Sequence, residues 1–162
     1  MKILMAVGDG CSRMVNPYVQ SLAEGLRDAG HRVDVDAASF WNSTCDYDVV
    51  HVHWPQALFG WDLGGITAGS VERCRRRLEQ LKSGGAAVCY TRHNVGPHAN
   101  ENPHAAELYR LFEQESDVVL HMGRRAAGCC PMGRQTICVM CLFRIMSTTG
   151  IRPWNRRRRV PG

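Results

Sequence analysis

Apolar positions along the chain fall into short runs separated by amphipathic stretches. Lys2–Val7 is almost continuously apolar and ends at Gly8-Asp9-Gly10, the pattern of a buried parallel strand closed by a turn. Val19, Leu22, Ala23 and Leu26 then recur at helical spacing, which predicts an amphipathic helix over 16–29. Pro17 suits the first turn of that helix, and Gly30 suits the left-handed position just past its end. Arg32–Ala37 predicts a second strand and Asp46–His53 a third. Val71–Lys82 predicts a helix with Arg dense on its solvent side, Ala86–Thr91 a fourth strand, and Asp117–His121 a fifth. Between the last two strands, Leu108, Leu111 and Phe112 share one face of a helix over 104–115. Residues 54–70 and 93–103 read as loops. Strands alternating with helices predict an α/β fold, a doubly wound parallel sheet.

The pattern stops near Ala126, and composition changes there too. The 162 residues carry a net charge of +5, but all 15 acidic residues lie between Asp9 and Asp117. Residues 1–123 hold 11 Lys and Arg against those 15 acids, a net −4, whereas 124–162 hold nine Arg and no acid, a net +9. The sequence therefore divides into a globular domain over 1–125 and an irregular, basic, Cys- and Arg-rich C-terminal tail over 126–162. Loss of acid with a rise in Arg, Cys, Pro and Gly is what an unselected reading frame of GC-rich DNA encodes, so a truncated or frame-shifted gene is expected. Of the eight cysteines, Cys129, Cys130, Cys138 and Cys141 cluster in the tail. Their spacing is short for a tetrahedral thiolate site, and no acid or histidine supports a second shell. The Arg156–Arg159 run could hold an anionic polymer by charge alone. No apolar run approaches the roughly 18 residues of a membrane span, and the cytoplasm is the expected compartment.

In open α/β sheets ligands bind outside the carboxyl ends of the strands, and the polar side chains concentrate there. The first loop, Gly8 to Arg13, is Gly-rich and precedes a helix, which lets backbone N–H groups approach an anion. It lacks the third glycine of a dinucleotide fingerprint. His51-Val52-His53-Trp54-Pro55 ends the third strand, so both imidazoles project to one face and Trp54 offers a flat ring. Thr91-Arg92-His93-Asn94 ends the fourth strand, where a histidine can donate a hydrogen bond or act as a base. Asn94 can fix that loop, and His98 follows Pro97 within reach. An H-x-H pair also opens the metal site of barrel hydrolases, but such a barrel needs about 250 residues. A barrel metal site is therefore not expected.

The run Val33-Asp34-Val35, then Asp46 through Pro55, then Val88 through His98 resembles, in order and spacing, the N-terminal domain of family 4-like glycosyltransferases of the GT-B fold. The resemblance covers about residues 1–125 and implies a Rossmann-like half of a two-domain enzyme. It implies transfer of a sugar from a nucleotide-diphosphate sugar, the donor substrate, to a sugar, lipid-linked or glycan acceptor, with no bound metal or cofactor. By position it implies His93 as the catalytic contact, Gly8 and Gly10 near the donor diphosphate, and His53 and Trp54 on the acceptor side. Asn94 and His98, read from their place in the loop after the fourth strand, complete the expected substrate-binding set. The C-terminal donor domain of such enzymes is missing, so this half is expected to be inactive alone. Contact at the inner membrane face stays open on this reading, and nucleic acid is not the expected partner. The alternative is a non-enzymatic Rossmann-like binding module whose basic tail engages nucleic acid or a protein.

Overall fold

The computed structural model describes residues 1–8, 17–93 and 102–122, and the backbone of 135–138. In chain order these form β1 (Lys2–Ala6), α1 (Pro17–Asp28), β2 (Arg32–Val35), α2 (Ala38–Asn42) and β3 (Val49–Val52). A 3₁₀ turn (Pro55–Phe59) follows, then α3 (Ala68–Ser83), β4 (Ala87–Arg92), α4 (Pro103–Glu115), β5 (Val118–His121) and β6 (Gln135–Cys138). The strands form one sheet in the order β2-β1-β3-β4-β5-β6, and every pairing is parallel. The fold is the expected Rossmann-like α/β architecture with helices on both faces.

Side-chain alternation along the strands explains the two faces. On β1, Leu4 and Ala6 join Val50, Val52, Val88, Tyr90 and Val119 in the larger core, packed by Phe40 of α2, Cys74, Leu78 and Leu81 of α3, and Leu108, Leu111 and Phe112 of α4. The intervening Ile3, Met5 and Val7 face the other way, against Val19 and Ala23 of α1 and Val33 of β2. The apolar stripe that predicts α1 thus covers one face, and α2, α3 and α4 cover the other.

The helix ends follow local chemistry. Gly30 ends α1 with φ +83°, and His31 N–H bonds Leu26 O at 3.0 Å, a left-handed C-terminal stop that glycine adopts without a Cβ clash. Thr67 and Ser70 cap each other's backbone at the start of α3, satisfying two orphan N–H groups. Asn102 accepts from His104 N–H at 3.0 Å and donates to Leu63 O and Ile66 O, both at 2.9 Å. One side chain therefore caps α4 and pins the loop before α3.

Three elements differ from the sequence expectation. α2 and the 3₁₀ turn are single turns, too short to show a period. β6 lies inside the segment read as irregular, where Thr136 and Ile137 are its only β-branched pair, and it extends the sheet by pairing Val118 with Gln135 through His121 with Cys138. Among the described residues no helix is long and apolar enough to cross a membrane.

Candidate functional site

The chain leaves β1 for β2 on one side, then returns to place β3 on β1's other side. That reversal makes a switch point beyond the carboxyl ends of β1 and β3, the place where α/β sheets of this class bind ligands. Val7-Gly8 and His53-Trp54 sit at those ends, and His93 follows β4 next door.

Five rings converge there. The His51 and His53 rings stack at 4.1 Å between centroids, as their shared strand face requires. His53 Nδ1 lies 3.3 Å from His93 Nε2. The Trp54 indole stacks on His93 at 4.2 Å with planes 13° apart, and Tyr18 of α1 meets both His53 and His93 edge-on at 5.8 and 5.5 Å. Below them, His51 Nε2 bonds Thr91 Oγ1 at 2.7 Å. Trp61 adjoins Trp54 at 5.7 Å and is 39% exposed.

Burial sets the charge of this cluster. It holds His51 down to about 3 and His93 down to about 4, and it drives His53 well below the ordinary imidazole range, reinforced by its two neighbours. All three are neutral at pH 7. One of His53 and His93 must then donate to the other. His53 Nε2 is buried without a hydrogen-bond partner, and an orphaned lone pair costs less than an orphaned N–H. The favoured tautomer therefore has His53 Nδ1–H donating to His93 Nε2, which leaves the proton of His93 on Nδ1. Burial also raises the Tyr18 hydroxyl and pushes the Cys89 thiol, on the neighbouring strand, up to about 12. Neither ionises near neutrality. Among the described residues no three His, Cys, Asp or Glu side chains are grouped to hold a metal ion.

Gly8 is enforced by packing. A Cβ there would sit 2.8 Å from Ala57 O and 3.2 Å from Trp61 Nε1. The first contact is backbone of the 3₁₀ turn, which Tyr109 of α4 anchors by donating to Gln56 Oε1. Trp61 itself has φ +68°, a left-handed conformation that costs a bulky residue about 1–3 kcal/mol. Its N–H bonds Gln56 O at 3.0 Å, and Asn102 holds the following residues. Gly8→Ala is expected to destabilise the protein by about 1–3 kcal/mol through overpacking and to shift Trp61 emission. Urea unfolding followed by fluorescence checks both, and a wild-type midpoint would mean that the 3₁₀ turn yields.

Of the residues singled out from the sequence, the structure brings together Gly8, His53, Trp54 and His93. Gly10, Asn94 and His98 lie outside the described residues, as do the tail cysteines 129, 130 and 141 and the Arg156–Arg159 run. Sequence reasoning missed Tyr18, Thr91 and Trp61. The Gly60-Trp61 step in a Gly- and aromatic-rich loop was the signal for Trp61. Nothing local marks Tyr18.

No family model matches the chain, and no curated protein matches it. Among solved structures it is similar to the crystal structure of TesA, with 20% identity and a TM-score of 0.42 over 71% of this chain and 70% of that one. A likeness of that size carries no functional assignment. These findings correct the glycosyltransferase reading, because nothing in them points to a GT-B enzyme, a nucleotide-sugar donor or a missing donor domain. The physical reason lies in the motifs. An apolar strand that ends in polar and aromatic residues is what any doubly wound sheet needs at its ligand edge. Asp46–Pro55 and Val88–His93 mark the fold rather than a family.

Proposed function

We propose that this domain binds a small ligand with a flat or apolar ring face, at the switch point beyond β1, β3 and β4. The observation that carries the proposal is the stacked Trp54–His93 pair with the exposed Trp61 beside it, at the point where the strand order reverses. Tryptophan offers a large rigid ring with little entropy to lose, and Gly8 lets the end of β1 pack closely against the 3₁₀ turn and Trp61. His93 supplies the polar contact.

Binding is favoured over base catalysis on two grounds. An imidazole held near 4 is a weak base at neutral pH, where catalytic bases are tuned closer to 7. Moreover, His53 and His93 bond to each other and His51 bonds Thr91, and among the described residues no carboxylate orients any of the three.

The test is a tryptophan-fluorescence titration of the full chain with nucleosides and with methyl pyranosides at millimolar concentrations. At least one class is expected to give a saturable change that Trp61→Ala weakens about tenfold or more, in line with stacking of about 1–3 kcal/mol per ring. Absence of any saturable change, or an affinity untouched by Trp61→Ala, would sink the proposal.

A further inference from the structure

Arg73, Arg76, Arg77 and Gln80 recur at helical spacing along α3, so they share one face. With Trp41 they line a cavity of about 270 Å³. Arg77 is only 8% exposed, yet among the described residues its hydrogen-bond acceptors include no carboxylate. Its Nε donates to Phe40 O, and Nη2 donates to Ser43 O at 2.9 Å and Ser43 Oγ at 2.8 Å. Its Nη1 reaches Gln80 Oε1 and Cys45 Sγ, both at 3.2 Å. The guanidinium's donors are satisfied, but its charge is not. The contrast is Arg92, 6% exposed and set 2.6 Å from the Glu113 carboxylate.

A buried cation without a counter-charge is costly, and the two neighbours deepen the imbalance. Arg73 lies over the Trp41 ring at 4.1 Å, a contact that leaves its charge uncancelled. Arg76 makes one loose pair with Glu72 at 3.5 Å, between side chains 68% and 54% exposed, which solvent screens. Among the described residues the cavity is lined by three guanidiniums, an amide and an indole, with no carboxylate.

We propose that this cavity is an anion site for a phosphate group, free or carried by a small monoester. The phosphate oxygens accept from Arg73 and Arg76, and the anion supplies the counter-charge that Arg77 lacks. Planar guanidinium forks match phosphate oxygens two at a time. The fixed positive charge behind them acts without rearrangement, because its hydrogen bonds are already spent on the α2 segment. This site is separate from the ring cluster and does not depend on it.

The experiment follows thermal unfolding and isothermal titration of the full chain with inorganic phosphate, against chloride at equal ionic strength. Phosphate is expected to bind saturably and raise the unfolding temperature. The Arg73→Gln/Arg76→Gln double variant, which keeps helix-forming side chains on an exposed face, is expected to lose at least about tenfold in affinity. Phosphate acting no differently from chloride would overturn the proposal. So would unchanged binding in the double variant, which would place the anion elsewhere on the chain. Glycerol phosphate distinguishes the two sources: tighter binding than inorganic phosphate identifies a monoester as the ligand, and equal binding identifies the free anion.

Discussion

Lowering the pH from 7 to 5 is expected to destabilise the fold by about 2 kcal/mol through His51 alone. The imidazole titrates near 6.5 when unfolded and is held to about 3 in the folded state. Between those values the unfolded chain binds the extra proton, so stability is complete above 6.5 and falls as pH drops towards 3. His53 and His93, lowered by the same burial, act in the same direction and steepen the loss. Glu113 acts oppositely, since burial raises it despite Arg92, but that effect begins only as pH nears the carboxylate range. Urea midpoints measured between pH 7 and 5 check the slope, and His51→Asn, which can still bond Thr91, should flatten it. A profile that stays level in wild type would mean the imidazoles reach solvent more freely than their burial indicates.

Phe112→Ala is expected to cost about 3–5 kcal/mol, a large share of the roughly 5–15 kcal/mol that holds a domain together. The ring is fully buried and lies 6.3 Å from Phe40 of α2 and 6.2 Å from Tyr90 of β4. Truncation loses the transfer energy of the ring, leaves a cavity, and removes two aromatic contacts at once. Phe112→Leu keeps most of the volume and should cost much less, about 1–2 kcal/mol. Denaturant unfolding separates the two variants. Equal losses would locate the effect in the aromatic contacts rather than the cavity. Because Asn102 caps α4 and Tyr109 lies on it, and the two fix the loop and the 3₁₀ turn beside Trp61, the alanine variant should also loosen the ring cluster.

Much of this architecture is legible along the chain. The first five strands and α1, α3 and α4 announce themselves because a buried parallel strand is an apolar run and a covering helix repeats every three to four residues. Gly30 is predicted past the end of α1 and is found there with a positive φ. The order of the strands is not legible, since nothing in Lys2–Ala6 records that β2 and β3 will flank it. α2, the 3₁₀ turn and β6 are each four or five residues long, too short for a period to emerge. The candidate site is half legible. His53, Trp54 and His93 stand out because each ends a strand, whereas Tyr18 and Trp61 join them only through helix packing and an αL turn. The family resemblance went astray for the complementary reason: its motifs recorded positions that the fold itself demands.

The all-parallel sheet also shapes how the chain must assemble. Ile3 pairs with Val49, Val49 with Ala87 and Cys89 with Val118, so each ladder closes a long stretch of chain before it returns any contact. Loop closure of that kind slows folding compared with hairpin-built sheets. During synthesis β1 emerges before either neighbour, and although β2 can cover one of its edges, the other stays open until β3 has left the ribosome. The earliest and most apolar strand is thus the one exposed longest, which makes the interval between residues 6 and 52 the period in which the nascent chain is most open to aggregation.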